Sequence, residues 1–260
     1  MAQRFFGLSR LCRISFFLAA VAVATAVSQA ADTHKNATVS GDATVVDSGS
    51  FGILVNGKRV ATETFKMEQK NNINRATSEL KFAGDNVQAT QNAEMEITSS
   101  GLLKKYTWKE VQPSKSQIVV EPTDDQFMVM HVSDGSDAPP KNFTHALTPA
   151  TSILDDNFFS QMQVLTWKYM AMGCRPAASG KAECSWSPQK LAVLNPHQEQ
   201  STLVTMEYTG RQMVKLNGVM QELNGFSMQA ETGQWKLWLN DDNKLVKVLI
   251  AAENTEVIRD

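Results

Sequence analysis

The sequence predicts a mainly β protein. The expected form is a curved antiparallel sheet, an open or half β-barrel of about ten to twelve strands, with one long amphipathic helix in its concave face. Three observations predict it. From Phe51 onward, apolar residues recur at every second position in short runs parted by Gly, Asn and Asp. One stretch, Ser152 to Gly173, steps at helical spacing instead: Leu154, Phe158, Met162, Leu165, Tyr169 and Met172 fall on one stripe. That stripe has to bury against something, and the rest of the chain offers only sheet.

The chain has 260 residues, and residues 1–30 read as a signal peptide. Arg4, Arg10 and Arg13 form a basic start, Ile14 to Val27 is uncharged and apolar, and Ser28-Gln29-Ala30 offers a cleavage point after Ala30. The alternative is an uncleaved anchor, but the apolar run falls short of the roughly 20 residues that span a bilayer. The product is expected to be periplasmic or secreted, soluble, with no stable membrane span. The net charge is −2. Losing the three arginines makes the mature chain more acidic, which argues against nucleic acid as a partner. Residues 31–48 are polar and read as a flexible lead-in, and 49–260 as a single domain.

Strand follows strand after that. Phe51, Ile53 and Val55 alternate up to Asn56-Gly57, a pair that favours a type I′ hairpin turn. The return strand puts Phe65 and Met67 on one face and Thr62, Thr64 and Lys66 on the other. Gly84-Asp85-Asn86 is a turn, and Tyr106 and Trp108 share a face further on. Gln126 to Ser133 and Lys244 to Ala251 are apolar on both sides, which predicts cover on both. Asn217-Gly218 and Asn224-Gly225 are read as two turns flanking a very short strand.

The helix is predicted over residues 152–172. Ser152 is expected as its N-cap, Asp155 and Asp156 as first-turn acids, and Gly173 as its left-handed end. Cys174 and Cys184 bracket a polar loop straight after it. In an oxidising compartment they are expected to form a disulfide, since no CxxC and no loop histidine suggest metal or redox chemistry.

No catalytic motif is present. His131 sits in the two-sided apolar strand and could be a buried base, but a satisfied core or rim histidine is the favoured reading, and His145 lies before the helix. The Asp pairs at 124–125, 155–156 and 241–242 are sequence neighbours, which seldom face one cavity. Neither a metal nor a cofactor is expected. Methionine is the feature with a functional reading. Met128, Met130, Met162, Met170 and Met172 gather on the helix and one strand, and flexible thioethers suit a wall for varied apolar ligands. The candidate ligand-lining residues are Leu154, Phe158, Met162, Leu165, Tyr169, Met172, Met128 and Met130. The plainer reading is that Met fills an irregular core.

Three stretches carry a resemblance: Gly49 to Glu68, Ile153 to Leu165, and Trp235 to Asp260. The first and last carry the patterns strand, Asn-Gly, strand with a Glu, and Trp-Leu, acidic turn, apolar strand, Arg. Together the three stretches resemble a group of exported bacterial proteins that in turn look similar to the Lol-type (LolA/LolB-like) lipoprotein carriers. The resemblance implies a β half-barrel whose apolar hollow takes acyl chains under a helical lid.

The function expected is therefore a non-enzymatic binding or carrier protein for a hydrophobic ligand: a lipid, an acyl chain or a lipidated protein. One alternative is an envelope protein–protein interaction module, whose helix docks a partner through Phe159 and Trp167. Another is a hydrolase whose site is scattered through the sequence.

Overall fold

The computed structural model describes residues 42–83, 89–156, 158–176, 182–184 and 187–260. The expected signal peptide, most of the lead-in and the turn at Gly84-Asp85-Asn86 lie outside them. In chain order the elements are β1 (Thr44–Val55), β2 (Lys58–Lys70), β3 (Ile73–Phe82), β4 (Thr90–Thr98), β5 (Leu103–Gln112), β6 (Gln117–Pro122), β7 (Met128–Ser133), β8 (Lys141–His145) and β9 (Ser152–Ile153). The helix α1 (Phe159–Gly173) follows. Then come β10 (Cys174–Pro176), β11 (Ala182–Cys184), β12 (Gln189–Asn195), β13 (Gln200–Leu216), β14 (Val219–Ala230), β15 (Gly233–Leu239), β16 (Leu245–Ile250) and β17 (Thr255–Arg259).

One sheet of 15 strands runs β8-β7-β6-β5-β4-β3-β2-β1-β17-β16-β15-β14-β13-β12-β9, and β10 and β11 pair separately. The chain meanders outward from β1 to β8, crosses through α1, and meanders back until β17 pairs with β1. Phe51 lies opposite Arg259, and Val55 opposite Thr255. The pairing is antiparallel except at β9, whose two residues run parallel to Val193 and Leu194 of β12. The sheet is mixed and does not close, and β9 is a short edge of the kind that resists further pairing.

The expected fold class needs correction on two counts. The sheet has 15 strands rather than ten to twelve. Pieces as short as Ser152–Ile153 carry no periodic signal, and neighbours in space create them. The helix is also shorter than the predicted 152–172, starting at Phe159. Ser152 spends its backbone on β12, so it caps nothing, and no acid stands in the first turn. Gly173 is the last helical residue, and the extended Cys174 takes the C-cap.

Strand faces follow from alternation. In β2, Ala61, Glu63, Phe65 and Met67 are buried, while Thr64 and Lys66 are exposed. Asn56 and Gly57 take φ of 50° and 76°, and Asn217 and Gly218 take 49° and 86°, as type I′ turns require. Asn224-Gly225 makes no turn. It lies inside β14, with Gly225 opposite Gly210. A Cβ on Gly225 would come within 2.7 Å of Thr209 Oγ1, so the glycine serves close strand contact. Strand β7 buries Met128 and Met130 on one face, while Val129 and His131 on the other are only half-buried, so the full cover expected on both sides is not reached. Strand β1 begins at Thr44, inside the segment read as lead-in.

The main core joins residues from both halves of the sheet to α1. Helix residues reach Glu63 on β2 and Tyr208 on β13. In a flat sheet those two strands would stand roughly 30 Å apart. Phe159 and Tyr169, which make the two contacts, stand only about 15 Å apart along the helix, so the sheet bends around it.

Candidate functional site

The first turn of a helix leaves amide donors without partners. Here Phe158, the N-cap residue, is extended and gives no side-chain cap. The cap comes from β2. Glu63 is fully buried, and its Oε2 accepts from the Phe159 amide at 2.6 Å and the Ser160 amide at 3.2 Å. Ser78 Oγ on β3 donates to Glu63 Oε1 at 2.7 Å and lies 2.8 Å from Ser160 Oγ. Burial pushes the Glu63 carboxyl above its ordinary value, and the hydrogen bonds from Ser160, Ser78 and the two amides only partly offset that.

A second buried carboxylate stands just before the helix. Asp155 accepts from the Tyr106 hydroxyl and pairs with Nδ1 of His197 in the β12–β13 turn. Its own amide donates to Gln161 Oε1 at 2.7 Å. The His197 ring meets Trp108 edge-on, with centroids 4.4 Å apart. Burial pulls the imidazole down, but the hydrogen bond and charge of Asp155, with Asp156 and Glu110 behind it, leave it net raised above 6.5. A histidine raised on folding stabilises fully below the unfolded value of 6.5 and loses that contribution as the pH climbs through the folded value. Between about pH 6 and pH 9, the Tm of the native chain is therefore expected to fall more steeply than that of His197→Gln. Parallel curves would show that the pair carries no stability.

The carboxylate–imidazole pair resembles two members of a hydrolytic triad. Among the described residues, no hydroxyl or thiol hydrogen-bonds the other nitrogen of His197. What the pair does in this geometry is tie the β12–β13 turn to the entry of α1. His131 Nδ1 lies 2.6 Å from Asn142 Oδ1 across β7 and β8, and His145 Nε2 is buried without a partner among the described residues.

Beside these clusters, at the head of the helix, lies a cavity of about 460 Å³. Ile53, Val60, Ala61, Phe158, Met162 and Trp235 give it an apolar wall, and Asp155, Asp156, Glu231 and Glu253 add carboxylates. Of the residues predicted to line a ligand site, Leu154, Phe158 and Met162 come together here. Leu165 faces a different hollow of about 350 Å³, between α1 and β3–β4, shared with Ile97, Val164 and Trp167. Tyr169 is buried, and its hydroxyl accepts from the Tyr208 amide at 2.9 Å. Met172 is 57% exposed, beyond the buried length of the helix. Met128 and Met130 are fully buried core residues that line neither cavity. The methionines therefore do not converge on one wall. Cys174 and Cys184 are disulfide-bonded, face to face across β10 and β11.

The helix surface read as a docking face is not free. Phe159 is buried, and Trp167 packs on the core while its Nε1 donates to Asn243 O at 2.6 Å. Sequence reasoning missed Glu63, Asp47 and Gln163, though two of them left a trace. Glu63 is in phase with Ala61, Phe65 and Met67, and Asp47 with Phe51 and Ile53. An acid on the apolar phase of a strand points inward, where it needs a partner. Among the described residues, no helix is long and apolar enough to cross a membrane, and no cluster of His, Cys, Asp and Glu could hold a metal.

No family model matches the chain, and no curated protein matches it. A crystal structure of a DUF1089 family protein from Pseudomonas aeruginosa aligns over 71% of this chain and 87% of that chain, at 6% identity and a TM-score of 0.42. The likeness is between two sheet-rich chains and extends to nothing finer.

Proposed function

We propose that the chain is a non-enzymatic binding or carrier protein for a hydrophobic ligand, exported to the periplasm or secreted. The cavity at the head of α1 carries the proposal. At about 460 Å³ it falls within the roughly 300–1,000 Å³ of small-molecule sites, and its wall is built from Ile53, Val60, Phe158, Met162 and Trp235. The resemblance of three stretches to the lipoprotein carriers supports the same reading, and the leader sequence supports export.

The test is uptake of the neutral apolar dye N-phenyl-1-naphthylamine by delipidated protein, with native mass spectrometry of protein taken from an envelope fraction. Saturable fluorescence enhancement is expected. Val60 is only partly buried at the cavity wall, so Val60→Trp narrows the space without filling the core. It is expected to weaken uptake by roughly tenfold, because the lost apolar contact area governs affinity here. No uptake of the dye and no co-purifying hydrophobe would defeat the reading.

A second reading, ester hydrolysis, draws on the Asp155–His197 pair, since Asp155 also lines the cavity. Turnover of a p-nitrophenyl acyl ester that disappears in His197→Ala would favour it over simple binding.

A further inference from the structure

We infer that the hollow between α1 and β3–β4 is a second ligand site, which takes a long-chain carboxylate with its head on Lys168. This site goes beyond the cavity at the head of α1 and stands without it.

The hollow measures about 350 Å³, within the roughly 300–1,000 Å³ of small-molecule sites. Met95, Ile97, Leu103, Ile153, Val164 and Leu165 are among the residues that line it. A smaller hollow of about 220 Å³ shares Met95, Ile97, Val164 and Trp167 with it and adds Met67 and Ala76. The apolar surface is therefore longer than either hollow alone, which suits an extended alkyl chain.

Lys168 is the only charged residue on the wall of the larger hollow among the described residues. Its ammonium is held at the β9 edge. It donates to Ala150 O and, at 3.1 Å, to Ser152 Oγ, and Ser152 is itself part of the wall. Both acceptors are neutral, and they use two of the three donors of an ammonium. Burial holds the Lys168 ammonium below its ordinary value of 10.5, with no nearby acid to offset the effect. A cation that sheds hydration without meeting an anion is in an unfavourable state, and an anionic head relieves it.

The charges also select the head. One ammonium matches the single charge of a carboxylate. A phosphate monoester carries about −1.5 to −2 near pH 7 and would lack a second cation. An amine head would meet its own sign. In the smaller hollow, Glu68 and Arg75 are already paired, with Lys66 Nζ and Glu94 Oε2, each at 2.6 Å. The cavity at the head of α1 has the opposite lining, with Asp155, Asp156, Glu231 and Glu253 and no Lys, Arg or His, so the sign of the head tells the two sites apart.

The experiment is isothermal titration calorimetry of the delipidated full chain with laurate, monododecyl phosphate and monolauroylglycerol, at mildly alkaline pH. Laurate is expected to bind tighter than the phosphate. Lys168→Met keeps the stem and removes the charge. It should weaken laurate about tenfold, the size of one charge-assisted hydrogen bond, and hardly change monolauroylglycerol. Lys168→Arg should keep most of the laurate affinity. Val60→Trp narrows only the other cavity and should leave laurate binding as it was. Laurate unaffected by Lys168→Met, or weakened no more than monolauroylglycerol, would overturn the assignment. So would phosphate binding tighter than laurate, or loss of laurate binding in Val60→Trp. No laurate binding in protein that takes up N-phenyl-1-naphthylamine defeats this site and spares the carrier reading. Laurate binding that needs Lys168, in protein that takes up no dye, supports this site and removes the cavity at the head of α1.

Discussion

Glu63→Ala is expected to destabilise the fold by about 3–5 kcal/mol, a drop in Tm of roughly 10 °C or more. The carboxylate accepts from the Phe159 amide, the Ser160 amide and the Ser78 hydroxyl, all of them buried. Truncation strips three donors of their acceptor at once, and each buried unpaired group costs about 1–3 kcal/mol. The loss falls where it matters most, because α1 is the element that both halves of the sheet pack against. Glu63→Gln retains one acceptor but turns an amide donor toward the helix start, so an intermediate loss is expected. Urea unfolding followed by near-ultraviolet circular dichroism measures both. A loss below about 1 kcal/mol for the alanine variant would mean that Phe158 and Phe159 hold the helix start by packing alone. The sign of the pH effect is also set. Because burial raises the Glu63 pKa, its contribution is fullest below the ordinary value of 4.5 and declines as the pH rises through the folded value.

Asp47→Ala is expected to have an effect of the same size, for a different reason. Its carboxylate takes Arg259 through two bonds of 2.7 and 3.0 Å, Gln163 Nε2 at 2.7 Å and Lys244 Nζ at 3.2 Å. Gln163 in turn accepts the Leu245 amide at 2.7 Å, so one network joins β1, β16, β17 and the middle of α1. Arg259 also lies over the stacked rings of Phe51 and Phe65, 5.9 and 5.1 Å from their centroids. Removing one partner of a buried pair costs about 3–5 kcal/mol, much of it from the charge left behind. Replacing both, as in Asp47→Ala/Arg259→Met, should therefore cost clearly less than the sum of the single changes. Strict additivity in that cycle would show that the two side chains do not stabilise each other. Burial raises the Asp47 pKa, but Arg259, Gln163 and Lys244 together outweigh it and leave it lowered. Its contribution is thus present above the ordinary value of 3.8 and is lost as the pH falls through the folded value. The two buried acids act on stability in opposite directions along the pH axis.

Local chemistry was legible in the residues. Alternation assigned Phe65 and Met67 to one face of β2, because side chains on an extended backbone must alternate. Asn56-Gly57 and Asn217-Gly218 turn where both central residues need positive φ. Asn224-Gly225 carries the same two letters and lies flat inside β14, because a neighbouring strand with Gly210 opposite it satisfied the backbone first. The start of α1 was misplaced for a related reason. Ser152 and Asp155 look like a helix entrance, but β12 takes the backbone of one and Tyr106 and His197 take the side chain of the other.

The sequence by itself determined what depends on near neighbours: the two-residue strand period, the Asn56-Gly57 and Asn217-Gly218 turns, that a helix runs through Met162, Leu165 and Tyr169, and the cysteines close enough to bond. Only the tertiary structure decided where the helix begins, which acids are buried, and that Leu154, Phe158 and Met162 share a cavity with Trp235 while Met128 and Met130 do not. The physical reason is the distance between partners along the chain. Glu63 meets Phe159 across 96 residues, and Asp47 meets Arg259 across 212. A donor's need for an acceptor can be read locally, but which distant side chain supplies it is settled only when the sheet has bent and brought the two together.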